Sequence, residues 1–136
     1  FWERGLDYRC GTGHGVGFVG TVHEGPQSLN GRSQVPFVPG MTVTDEPGIY
    51  ETDKIGIRIE NELLCKEAME TEYGKFCCFE PITYCPIDKK AIDPKKLSPA
   101  ELSWLNEYHA TVYETLAPQL TDNEKAWLKN ACAPLA

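Results

Sequence analysis

The chain has no apolar run near the roughly 20 residues needed to span a bilayer, so no membrane partner is expected. Its start, FWERGLDYRC, has no charged region followed by an apolar one, so no secretory leader is read in it. It has no initiator methionine either. FWERGL reads as the tail of a helix already under way, and the chain as a piece of a longer protein. No basic cluster exceeds the pairs Lys89-Lys90 and Lys95-Lys96. With a net charge of −7, an acidic surface repels phosphate backbones and disfavours nucleic acid as a partner. There is no C-x-x-C, so zinc-finger spacing is absent. Internal repeats and low-complexity segments are absent too.

Six cysteines are present, at positions 10, 65, 77, 78, 85 and 132. The even count invites a disulfide framework. A chain of 136 residues with 41% hydrophobic composition has material for a core without one. Buried, reduced thiols and a cytoplasmic location are therefore expected.

Residues Gly11 to Gly25, GTGHGVGFVGTVHEG, are dense in glycine, which permits sharp bends and close backbone approach. Pro26 to Gly40 reads as a loop. Met41 to Glu51 reads as a strand with a bend or bulge at Pro47-Gly48. Gly56 to Glu67 reads as the clearest strand, with Ile55, Ile57, Ile59 and Leu63 on one face and Arg58, Glu60 and Glu62 on the other. Phe76 to Tyr84 gives a third strand, with Pro81 pointing to an edge or a kink. A charged connector follows Pro86. Ser98-Pro99-Ala100-Glu101 is a capping box with proline at the first helical position, opening a helix that ends at Pro118. Leu102, Leu105, Tyr108, His109, Val112 and Leu116 recur at helical spacing along it. A shorter helix, capped by Thr121 to Glu124, runs to Cys132. The change of pattern divides the chain into residues 1–90 and a helical extension, 91–136.

Glu46 and Glu60 lie at equal distances on either side of Asp53. A hairpin centred there sets them opposite each other, with side chains roughly 5 Å apart. Opposed carboxylates repel unless a cation or a shared proton lies between them. His14, between two glycines, reads as a ligand or base, or as a histidine in a surface turn. His23, ahead of the Gly25-Pro26 turn, carries the same two readings. The glutamates carry their own plain reading as solvated residues on a polar strand face. A carboxylate pair with histidines and the nearby Arg58 suits Mn²⁺, Co²⁺ or Zn²⁺.

GTGHGVG, VHEGP, TDEPGIY and GIRIENELL, in this order and spacing, resemble the second half of the Xaa-Pro aminopeptidases, of the pita-bread metallopeptidase family M24. FEPITYCPID and SPAELSWLNEYH resemble the C-terminal portion of the longer subtype. The resemblance implies an α+β fold: the C-terminal half of a pita-bread domain, an antiparallel curved sheet followed by helices, with residues 1–90 as the catalytic portion. It implies His14, Glu46 and Glu60 as metal ligands, with Glu60 bridging two divalent ions. Glu46 doubles as general base, His23 contacts the substrate carbonyl, and Arg58 orients the acidic ligands from behind. The implied substrate is a peptide with proline second, and the implied metal is manganese, with zinc or cobalt as alternatives. The tail implies a homodimer, with Trp104, Tyr108 and Trp127 as candidate anchors.

One departure matters. The family draws two aspartate ligands from an earlier strand, and a further histidine also precedes that of GTGHGVG. Only 13 residues precede His14, and Asp7 does not match. Three of five ligands are then present, and the isolated chain is expected to bind metal weakly and to be inactive. Two alternatives stay open: a non-catalytic pita-bread module that binds protein partners, and a prolidase-type dipeptidase.

Overall fold

The computed structural model describes residues 1–7 and 10–136. They form two compact units, Phe1–Thr83 and Tyr84–Ala136.

The first unit holds five strands: β1 (Thr42–Asp45), β2 (Gly48–Glu51), β3 (Ile55–Arg58), β4 (Asn61–Thr71) and β5 (Gly74–Pro81). All pairings are antiparallel. β1, β4 and β5 form one sheet in that order, and β2 pairs with β3 in a second. The two strands expected over 41–51 and 56–67 are therefore each divided, at Glu46-Pro47 and at Ile59-Glu60. The physical reason is local. Pro47 has no N–H to give to a ladder, and the N–H of Glu46 turns instead to the carbonyl of Thr12, 2.7 Å away. One register nonetheless runs through both ladders. Asp45 faces Asn61 before the break, and Gly48 faces Arg58 after it. Asp53 sits at the hairpin tip with φ 57°, a left-handed conformation that aspartate tolerates. Continuing that register across the break sets Glu46 opposite Glu60.

β4 and β5 turn over Glu72-Tyr73, with Gly74 at φ 115°, and a bulge interrupts their register between Glu67 and Met69. β5 occupies a sheet edge, where the ring of Pro81 is tolerated. The start of the chain makes a 3₁₀ turn, Trp2–Arg4, and left-handed Gly5 closes it.

The buried apolar set of this unit is small: Val43 and Cys65 are almost wholly covered, beside the polar Thr44, Glu46 and Asn61. Ile55, Ile57 and Ile59 are about half exposed, and Phe18 is fully so. The isoleucine face read from the sequence is thus uncovered here. The cysteines divide as well. Cys65 and Cys132 are buried and Cys10 is partly so, but Cys77, Cys78 and Cys85 are exposed, contrary to the expectation of burial. Cys77 and Cys78 lie on β5, a terminal strand of its sheet.

The second unit is built on α1 (Pro99–Leu116) and α2 (Asp122–Ala131). Both start as their capping boxes dictate. The N–H of Ser98 donates to Glu101 at 2.7 Å, and that of Thr121 to Glu124 at 2.8 Å. Tyr108, Val112, Leu128 and Cys132 form the core. Full burial of side chains such as Val112 and Leu128 contributes about 1.5–3 kcal/mol each. The extended segment leading into the unit is pinned by side chains: the Tyr108 hydroxyl donates to the Cys85 carbonyl at 2.8 Å, and the Ile87 N–H to His109 Nε2 at 3.0 Å. Tyr108 is therefore a core residue, not an exposed anchor. Trp104, stacked on it at 5.6 Å, is exposed, as are Trp127 and Tyr84.

Candidate metal centre

The glycine-rich segment lies against β1 on the side away from β4. Thr44 N–H donates to the His14 carbonyl at 2.9 Å, and His14 N–H donates to Thr44 Oγ1 at 3.0 Å. Only glycine fits at position 13, because a Cβ there would come 1.8 Å from the Thr44 carbonyl oxygen. On its other side the segment pairs with residues 24–29 through Leu29 N–H to Gly13 O and Glu24 N–H to Gly15 O, both 2.9 Å. That fold-back brings the His23 ring to 4.1 Å from the His14 ring, centroid to centroid.

Three of the residues singled out from the sequence then meet on one carboxylate. His14 Nε2 lies 2.9 Å from Glu46 Oε1, and Arg58 Nη1 lies 2.8 Å from Glu46 Oε2. Glu46 is buried, His14 half-buried and Arg58 more exposed, its guanidinium 5.5 Å over the Tyr50 ring. His14 Nδ1 is 2.8 Å from the Gly15 carbonyl and must carry a proton to bond to it. In the neutral ring Nε2 is then a bare lone pair, aimed at a carboxylate oxygen. Two acceptors at 2.9 Å repel unless a proton or a metal cation joins them. The donor set, imidazole nitrogen and carboxylate oxygen, suits a borderline divalent ion. His23 and Asn30 share the pocket, of about 320 Å³, that opens onto this pair.

Glu60 does not join them. It is exposed, and among the described residues no group of three or more His, Cys, Asp or Glu side chains converges as a metal cluster. Glu46 already has a cationic partner in Arg58, and a second carboxylate brought up to it would meet like charge. Sequence reasoning missed Thr44, a buried residue whose hydroxyl donates to Glu46 Oε1 at 2.9 Å. Its place two residues before Glu46 on a strand was the available signal, since such positions share a face. It also missed Glu62, opposite Thr44 in the ladder, whose Oε1 is buried with no hydrogen-bond partner among the described residues.

Comparison with known proteins gives consistent findings. The family model described as "Metallopeptidase family M24" matches residues 1–67, and that for the "C-terminal region of peptidase_M24" matches residues 75–135. The chain is 46% identical to Aminopeptidase P1 of Lotus japonicus over 98% of its own length and 21% of that protein's. It is 43% identical to the probable Xaa-Pro aminopeptidase P of Coprinopsis cinerea, over 98% of its length and 23% of the relative's. It thus spans about a fifth of the curated relatives it matches. The X-prolyl aminopeptidase of Caenorhabditis elegans, described as a cytosolic enzyme with a di-nuclear active site, superposes with a TM-score of 0.86 at 38% identity, over 98% of this chain and 23% of that one.

Proposed function

Because this chain belongs to metallopeptidase family M24, we propose that it supplies part of a dinuclear active site that removes an N-terminal residue ahead of proline. The observation that carries the reading is His14 Nε2 held 2.9 Å from Glu46 Oε1. In that site His14, Glu46 and Glu60 would hold the ions. The remaining ligands come from outside the chain. Manganese is the proposed metal, with zinc and cobalt as alternatives. The relatives' names support the substrate class, and the C. elegans enzyme supports a two-ion site and a cytoplasmic location.

A pair of bound divalent ions supplies an acidified water. The chain's own residues do the rest. Glu46 accepts the water's proton as its oxygen bonds to the carbonyl carbon, and returns it to the proline nitrogen as the C–N bond breaks. Arg58 keeps the Glu46 carboxylate fixed through Oε2 while Oε1 acts. His23, exposed and beside His14, donates to the substrate carbonyl oxygen where charge develops. A second copy of the whole protein is the proposed partner, with Trp104 and Trp127 as anchors.

The test is made on the full-length protein loaded with Mn²⁺. Release of the first residue from Xaa-Pro peptides is expected, with loss of about 10²-fold or more in kcat for Glu46→Gln. The chain alone is expected to be inactive and to bind Mn²⁺ weakly. Undiminished turnover in Glu46→Gln overturns the reading.

A further inference from the structure

We infer that Thr44 is a positioning residue of this site, its hydroxyl fixing the spacing between His14 and Glu46. The inference rests on the metal-centre reading above and names a group that reading does not use. Thr44 is 3% exposed on β1. Its Oγ1 accepts from the His14 N–H at 3.0 Å and donates to Glu46 Oε1 at 2.9 Å. The first bond decides the second. Having accepted from an amide, the hydroxyl has one hydrogen to give, and Glu46 Oε1 is where it goes. The same residue's N–H donates to the His14 carbonyl. Thr44 therefore ties the backbone of one donor to the carboxylate of the other, across 32 residues of sequence.

The oxygen it holds is the one that faces His14 Nε2. Arg58 holds Oε2, and the Thr44 hydroxyl is the neutral hydrogen-bond donor that fixes Oε1. β-branching adds a second constraint. A threonine on a strand has few χ1 wells, so the hydroxyl's direction is set before any ion arrives. Such groups behind the ligands govern affinity through preorganisation, and their loss costs about 10–100-fold in metal binding.

The experiment compares wild type, Thr44→Val, Thr44→Ser and His14→Ala, as the 136-residue chain and as the full-length protein. Mn²⁺ affinity is measured by calorimetry, and folding by amide exchange at Val43 and Cys65. Thr44→Val keeps the shape and removes the hydroxyl, and at least about tenfold weaker binding is expected. Thr44→Ser restores the hydroxyl, and binding within about threefold of wild type is expected. Wild-type affinity in Thr44→Val overturns the inference, as does equal weakening in a folded Thr44→Ser. If Thr44→Val fails to fold, the serine variant and its exchange pattern decide alone. If His14→Ala also binds like wild type, the metal-centre reading fails instead, which separates the two.

Discussion

Arg58 Nη1 takes the one Glu46 oxygen that His14 does not: it lies 2.8 Å from Oε2, while His14 Nε2 lies 2.9 Å from Oε1. A buried carboxylate is thus neutralised from one side by a fixed cation and left open, on the other, to a group that needs a proton or a metal ion. An arginine here keeps its charge at any working pH, so the geometry does not depend on its protonation.

Replacing Arg58 with methionine removes that fixed charge and leaves Glu46 Oε2 unpaired. Mn²⁺ affinity in the full-length protein is expected to fall by about tenfold or more, with kcat falling further than KM rises, because the base loses its orientation. Arg58→Lys should recover part of the affinity. Calorimetry and steady-state kinetics on the same preparations check both.

Gly13→Ala forces a methyl group to within 1.8 Å of the Thr44 carbonyl oxygen, a backbone atom that has no room to yield. The segment must leave β1, and a cost of about 3 kcal/mol in the stability of the first unit is expected. Gly11→Ala is the control, since nothing lies within 4 Å of a Cβ there. Urea denaturation, read by amide exchange at Val43, compares them.

His109 makes the second unit sensitive to acid. It is fully buried, and burial first, then the nearby Lys89, holds its imidazole below the ordinary value of 6.5. Its Nε2 accepts from the Ile87 N–H and so cannot be protonated without losing that bond. The unfolded chain takes up a proton near 6.5 and the folded one does not. Stability is therefore complete above that pH and declines as pH falls towards the depressed folded value. His109→Leu should abolish the decline and cost about 1–3 kcal/mol at pH 7.5, the unpaired Ile87 N–H being the cause. Thermal melts from pH 7.5 to 5 measure it.

The cysteines should sort by exposure. Cys77, Cys78 and Cys85 are exposed and should react with a thiol reagent promptly at pH 8. Cys65 and Cys132 should lag by at least about tenfold, because burial both shields each thiol and raises its pKa. Mass spectrometry of a timed alkylation reads the order; prompt labelling of Cys65 would contradict the packing of β4.

Much of the fold could be read residue by residue. The mirror placement about Asp53 sets a hairpin register, since strand pairing repeats every two residues and the tip permits only one centre. The boxes Ser98–Glu101 and Thr121–Glu124 set both helix starts, because capping is a local hydrogen-bond problem. Glu46, His14 and Arg58 meet in the fold. Glu60, at the break between ladders, is exposed, and no ligand cluster of three or more forms among the described residues. Tyr108 fell in the core: helical spacing names a face but not what covers it.

What sequence alone determined, then, was local: turn chemistry, caps and the pairing of neighbours along one hairpin, all governed by contacts between residues close in the chain. Tertiary structure decided which oxygen of Glu46 meets which partner, and that a threonine hydroxyl stands between the two donors. Those facts arise where a glycine-rich segment lies against a strand some thirty residues further along the chain, and no local pattern encodes a distance across space.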